Sequence, residues 1–139
     1  MRLTTRGRYA LRASLALASL GENGRPVSIN QLSEEEDISP VFLEQIFLKL
    51  RKAGIVSSIR GPGGGFNFLL PLEKITIKDI MDAAGEDLDI VFCDKHQDIC
   101  ERISGCLSHH VWQDLNKLIN EYFARITLAS IIEKNNPKK

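Results

Sequence analysis

The residues best equipped for metal or redox chemistry are crowded into one stretch, since all three cysteines and all three histidines lie between Cys93 and His110. The order is Cys93, six residues, Cys100, five residues, Cys106, two residues, His109. Thiolates are soft ligands that hold iron–sulfur clusters or zinc, and one imidazole can complete a fourth position. Intervals of five and six residues suit an irregular loop wrapped round an inorganic core, whereas zinc sites more often use Cys-x2-Cys knuckles, which this chain lacks. Asp94, Asp98 and Glu101 sit among the cysteines and are poor core residues, which weighs against three inert buried thiols. A cluster fits these residues best; zinc and redox-only thiols remain the alternatives. If a helix starts just after Cys106, His109 faces the same site as that cysteine, while His110 points about 100° away. His96, inside the loop, is a lesser candidate.

The rest of the chain sets the surroundings of that loop. The apolar run at residues 13–20 is too short to span a bilayer, follows Arg12 and lacks the cleavage site of a secretory leader. A cytoplasmic setting without a membrane partner is therefore expected, and there thiols stay reduced and a disulfide framework is disfavoured. With 139 residues, 43% of them hydrophobic, the chain can bury the core of one compact domain plus an appended helix.

The elements that must position the loop are marked by periodicity and caps. Residues 6–20 read as a helix with Tyr9, Ala13, Ala16, Leu17 and Leu20 on one stripe and Gly21 as its stop. Ser28 and Gln31 form a capping box for a short second helix that frays in the acidic run Glu34 to Asp37. Ser39 followed by Pro40 starts a third, burying Leu43, Ile46, Phe47 and Leu50 and leaving Val41, Glu44, Gln45, Lys49 and Lys52 toward solvent until Ala53 and Gly54 end it. Runs at 55–59 and 66–70, joined by Arg60-Gly61-Pro62-Gly63-Gly64-Gly65, read as a hairpin with a glycine-rich tip. Thr76 opens a short helix through Met81 to Ala84, and 85–106 reads as irregular loop. A long helix then runs from Leu107 to about Ile126, with Val111, Leu115, Leu118, Tyr122 and Ala129 near heptad spacing and Ile119 and Ile126 beside them. Such a stripe needs a partner surface, and the same helix of a second subunit supplies one. Thr127 can cap a last helix through Ile132.

The fold class is thus mainly α (α+β): a winged helix-turn-helix domain over 1–84, a cysteine-rich cluster-binding loop over 85–106, and a dimerisation helix with a short terminal helix over 107–134. In this plan the third helix enters the major groove of duplex DNA and the hairpin reaches a neighbouring strand or the minor groove. Charge agrees locally although the net charge is zero. Residues 1–70 carry nine Lys and Arg against six Asp and Glu, and residues 71–139 nine against twelve. Arg2, Arg6, Arg8 and Arg12 stand in the first twelve residues with no acid among them. Arg60 lies at the base of a tip free of acids, where backbone can approach phosphate closely. Catalysis is poorly supported. No Ser/His/Asp set or paired carboxylates can be named, residues 61–65 lack the Lys-Ser/Thr of a nucleotide loop, and no small-molecule substrate is expected.

Met1 to Ala10 (Met-Arg-Leu-Thr-Thr-Arg-Gly-Arg-Tyr-Ala), Phe42-Leu-Glu-Gln-Ile-Phe and Gly54-Ile-Val-Ser-Ser-Ile-Arg-Gly-Pro-Gly-Gly-Gly resemble the family of bacterial winged-helix regulators that includes IscR, NsrR and CymR. The resemblance extends through Trp112-Gln-Asp-Leu and Ile126-Thr-Leu, and the loop with Cys106-Leu-Ser-His109 is most similar to the IscR, or iron–sulfur cluster assembly, branch. It implies a 2Fe–2S cluster on Cys93, Cys100, Cys106 and His109, and a homodimer that binds operator DNA and represses or activates cluster-biogenesis genes, with repression preferred. Cluster occupancy would change which sites are bound. The DNA-contacting set becomes Arg2, Thr4 and Arg8; Val41, Phe42, Glu44 and Gln45 of the recognition helix; and Arg60, Gly61, Gly63 and Gly64 of the wing. Glu44 can accept from a cytosine amino group yet repels phosphate, which makes it a sequence discriminator; Arg60 suits a narrow minor groove or a phosphate. The first cysteine interval is one residue longer than the IscR pattern. This keeps open an NsrR-like, nitric-oxide-sensing 4Fe–4S regulator, beside a cluster-free regulator of the same fold controlled by a partner protein.

Overall fold

The computed structural model describes residues 3–91 and 102–135, so Arg2, Cys93, His96 and Cys100 lie outside the described residues. Helix α1 (Thr5–Leu20) begins at Thr4, whose side chain accepts from the Gly7 N–H, and closes with the Gly21 N–H donating to the Leu17 carbonyl. Its buried face is built mostly of small residues, Gly7, Ala10, Ala13, Ser14, Ala16 and Leu17, so its neighbours can pack close. The face is rotated slightly from the expected stripe: Tyr9 is half-buried and Leu20 exposed.

Helix α2 (Ile29–Glu36) carries the expected capping box between Ser28 and Gln31 and ends on Asp37 in the left-handed conformation, φ 54°. It runs through the acidic stretch instead of fraying there. Arg12 explains the difference: its Nε pairs with Glu36 at 3.0 Å, its guanidinium also donates to the Glu36 carbonyl, and it lies 5.0 Å from the Tyr9 ring centre. A cation on the last carbonyls offsets both the orphan acceptors and the negative end of the helix dipole.

Helix α3 (Pro40–Lys52) starts with Ser39 accepting from the Phe42 N–H at 3.1 Å and Pro40 in the first turn. Its buried residues are Leu43, Ile46, Phe47 and Leu50, and Lys49, Arg51 and Lys52 fill its last turn. Strands β1 (Val56–Ile59) and β2 (Gly65–Phe68) pair antiparallel from Val56–Phe68 to Ile59–Gly65. A third segment joins them, because Val27 and Phe66 exchange both backbone hydrogen bonds (3.1 and 2.8 Å). The tip is an ordered turn with Gly61 at φ 96°, Gly63 at φ 75° and the Gly64 N–H donating to the Gly61 carbonyl at 2.9 Å.

Helix α4 (Ile77–Ala83) has a capping box between Thr76 and Asp79. Helices α5 (His109–Arg125) and α6 (Leu128–Asn135) complete the chain. Thr127 and Ser130 bond reciprocally at the start of α6, as the sequence anticipates. Ala129 therefore sits on α6 and not on the α5 stripe, because Ile126 adopts extended backbone (φ −92°, ψ 118°) and breaks the helix. Residues 103–105 form a 3-10 turn within the stretch read as loop. One core lies among α1, α2, α3, the wing and α4, with Leu128 inserted into it; a second gathers Ile77, Met81 and Leu88 under Ile119, Phe123, Ile126 and Ile131. The architecture is the expected winged helix-turn-helix.

Gly65 gives the wing a local test. Its φ is +155°, and a Cβ there would overlap the Val27 carbonyl, whereas a Cβ on Gly105 meets open space. Gly65→Ala should lower the unfolding free energy by about 1–3 kcal/mol in urea melts, and Gly105→Ala should change it by no more than about 1 kcal/mol. Equal effects would contradict this account of the wing.

Candidate functional site

Two surfaces carry the residues singled out from the sequence. On α3, Val41, Glu44 and Gln45 are exposed at i, i+3 and i+4, opposite the buried row of Leu43, Ile46, Phe47 and Leu50. Phe42 is only half-buried and meets Tyr9 edge-to-face, centroids 5.5 Å apart, so part of its surface fixes α3 on α1. The helix before α3 and the three-residue turn between them leave the N-terminal half of α3 as a projecting ridge, the geometry that enters a major groove. Arg60, Gly61 and Gly63 are exposed on the wing and Gly64 is half-exposed; a Cβ on Gly64 would overlap the Ile59 carbonyl, so this glycine is required by the turn itself.

The arginines of the N-terminal run fall into different roles. Arg12 is committed to Glu36 and Tyr9. Arg6 is half-buried beside Gly85, with its Nε buried and unpartnered. Arg8 is exposed, with one Nη2 bond of 3.4 Å to the Thr5 hydroxyl. Thr4 is exposed but already engaged, since the Glu86 carboxylate accepts from its hydroxyl, from its N–H at 3.3 Å and from the Gly7 N–H at 3.0 Å. A carboxylate on the first N–H groups of α1 satisfies orphan donors and complements the helix dipole. Sequence reasoning missed Glu86. The Thr4-x-x-Gly7 spacing marks the cap, but nothing local marks a partner 82 residues from Thr4.

The second surface is the start of α5. Cys106, half-exposed, precedes it; Cys106 Sγ lies 3.3 Å from Ser108 Oγ, and the His109 N–H donates to the Cys106 carbonyl at 3.3 Å. The Ser108 hydroxyl and then the Ser108 N–H hold the Cys106 thiol below its ordinary pKa, helped by the His109 N–H and by Arg102 nearby. His109 is half-buried and His110 exposed. Two of the four expected ligands thus share one turn. Among the described residues no three metal-binding side chains converge, Cys93 and Cys100 being outside them.

Asn116, two turns along α5, also went unnoticed in the sequence. Its Oδ1 accepts from the Ile90 N–H at 2.6 Å and its Nδ2 donates to the Val91 carbonyl at 3.4 Å. The outer surface of α5 carries exposed apolar side chains, Val111, Trp112, Leu118 and Tyr122, and Leu107 just before the helix is 91% exposed. Among the described residues no helix is long and apolar enough to cross a membrane.

Comparison with known proteins agrees with this geometry. Residues 3–134 match the Rrf2 family, described as iron-dependent transcriptional regulator. An HTH-type transcriptional regulator of Neisseria meningitidis is 46% identical over 136 residues, covering 98% of this chain and 90% of that one. The HTH-type transcriptional regulator IscR of Vibrio cholerae is 41% identical over 135 residues, covering 97% and 77%. Among solved structures, T. potens IscR superposes with a TM-score of 0.77 at 29% identity, covering 97% of this chain and 88% of that one. CymR, the global cysteine regulator of B. subtilis, superposes with a TM-score of 0.76 at 26% identity, covering 94% and 95%. Capped reading helix, glycine-turned wing and a family match over nearly the whole chain lead to one identification: the protein belongs to the Rrf2 family and is a DNA-binding transcriptional regulator, not an enzyme.

Proposed function

We propose that this regulator is governed by a 2Fe–2S cluster held by Cys93, Cys100, Cys106 and His109, and that it acts as a homodimer, repressing cluster-biogenesis genes from operator DNA. The observation that carries this reading is the hydrogen-bonded turn at the start of α5, where a thiol held below its ordinary pKa and an imidazole stand three residues apart. A soft anionic sulfur and a ring nitrogen are the donor chemistry such a cluster takes. When bound, the cluster would supply a centre sensitive to iron supply, oxygen and redox state. The chain's own residues do the rest. Ser108 stabilises the thiolate of Cys106, and the helix start fixes the spacing of Cys106 and His109. Relatives named IscR, one of them aligned over 97% of this chain and 77% of its own length, support the iron–sulfur reading.

The dimer reading rests on α5. None of its residues is buried, yet Val111, Leu118 and Tyr122 form an exposed apolar row, with Trp112 exposed beside it. Covering that row with the same helix of a second copy gives a self-complementary two-fold interface and presents two α3 helices to two half-sites. On the DNA, Glu44 would read a base edge and Arg60 a phosphate or narrow minor groove, with Arg2, Thr4, Arg8, Val41, Phe42, Gln45 and the wing glycines Gly61, Gly63 and Gly64 setting register.

Anaerobically purified protein should be coloured and contain about two irons and two sulfides per chain. His109→Ala should change the cluster spectrum while leaving the dimer intact on a sizing column. Colourless protein holding only zinc contradicts the reading, and about four irons per chain with nitric oxide sensitivity transfers it to the NsrR-like form. On DNA, Arg60→Ala should weaken binding to most sequences alike, whereas Glu44→Ala should relax preference at one base position by about 1–3 kcal/mol. Uniform loss on every sequence for both variants would remove these roles.

A further inference from the structure

We propose that Glu86 is a positioning residue for DNA binding: its carboxylate grips the first turn of α1 and thereby sets the place of Arg8 on the surface. This rests on the reading of Arg8 as a contact to phosphate. One oxygen carries the grip, because Glu86 Oε1 accepts from the Thr4 hydroxyl, from the Thr4 N–H at 3.3 Å and from the Gly7 N–H at 3.0 Å. Both ends of the turn are held. The Thr4 hydroxyl, 3.4 Å from the Gly7 nitrogen, is the more distant acceptor there. Arg8 hangs on the same turn twice: its N–H donates to the Thr4 carbonyl at 3.2 Å and its Nη2 to the Thr5 hydroxyl at 3.4 Å. With its N–H and its hydroxyl both given to Glu86, Thr4 sets register by anchoring this turn. Glu86 is itself held, since its N–H donates to the Met81 carbonyl at 2.9 Å. Leu3, just before Thr4, packs against the core that buries Leu88, two residues after Glu86. Gly7 belongs to the same device. A Cβ there would fall 2.5 Å from Glu86 Cγ and 2.6 Å from Oε1, so the carboxylate reaches the turn because residue 7 has no side chain. A helix start that loses its cap frays, and an arginine hung on a frayed turn loses its fixed bearing on a phosphate.

The test uses full-length protein purified anaerobically and a fluorescent duplex that the parent itself selects from a random-sequence pool. Affinity is measured over a salt series, because each phosphate contact adds about 0.9 to the slope of log affinity against log salt. Arg8→Ala should lower that slope by about one contact. Glu86→Ala should lower it equally, although it removes an anion from a DNA-binding protein. The double variant should lose one contact and not two, since both residues act through the same one. Glu86→Gln, whose amide oxygen can stand where Oε1 stands, should keep the parent's slope. Gly7→Ala should reproduce Glu86→Ala with the carboxylate still in the chain, even though alanine is the better helix former. Thermal melts identify any variant that does not fold, and if Glu86→Ala fails, Gly7→Ala decides, alone and combined with Arg8→Ala. Three results overturn the proposal alone: slope losses that add in the double variant, folded Glu86→Ala and Gly7→Ala proteins with the parent's slope, or Glu86→Gln behaving as Glu86→Ala. An Arg8→Ala protein with the parent's slope overturns the reading of Arg8, and the proposal with it.

Discussion

The architecture depends on a two-bond splice between distant parts of the backbone. The Ile77 N–H donates to the Ile126 carbonyl at 2.9 Å and the Leu128 N–H to the Ile75 carbonyl at 2.8 Å. These bonds hold the break between α5 and α6 beside the start of α4. Side chains on either side of the break then enter different cores: Leu128 is fully buried with α1 and α3, while Ile126 packs with Ile77, Met81 and Leu88. Each bond alone contributes about 0.5–1.5 kcal/mol net. Together with the apolar burial beside them they fix the C-terminal end of α5 on the winged helix-turn-helix fold. The middle of α5 is tied to the chain at Ile90–Val91 through Asn116.

The exposed face of α3 follows from caps placed by short polar residues. Ser39 and Pro40 start α3 at a fixed point, the Asp37 backbone stops α2 just before, and Arg12 ties the end of α2 to α1. Val41, Glu44 and Gln45 are thereby projected outward without any residue of their own holding them. Glu86 performs a similar service at the start of α1, and because it stands at the head of the cysteine-bearing segment, the N-terminal arm and that segment share one carboxylate.

How much of this was legible in the sequence followed the range of the interactions. Ser28 with Gln31, Ser39 with Pro40 and Thr76 before α4 act within one helical turn, so their residues announce them, as does the division of α3 into buried and exposed rows. The spacing of Cys106 and His109 was legible for the same reason. The wing glycines were legible as a turn, but the need for Gly65 was not, because Val27 lies far back in the chain. Glu86 on Thr4 and Asn116 on Ile90–Val91 pair a common polar residue with backbone, and neither pairing leaves a periodicity to read. The end of the long helix near Ile126 and the Thr127 cap were legible too, but Ala129 was still counted in the long helix's heptad stripe, and the extended backbone at Ile126 places it on α6.

The central claim is that one chain couples a metal-sensing turn to the choice of DNA. Its most direct measurement is selection of genomic DNA fragments, under strictly anaerobic conditions, by cluster-loaded protein and by the same preparation after its iron is removed. The account predicts that the two forms enrich different sequence motifs, and that Cys106→Ser protein treated to load its cluster selects the metal-free set. Identical motifs at identical affinities in both forms would contradict it.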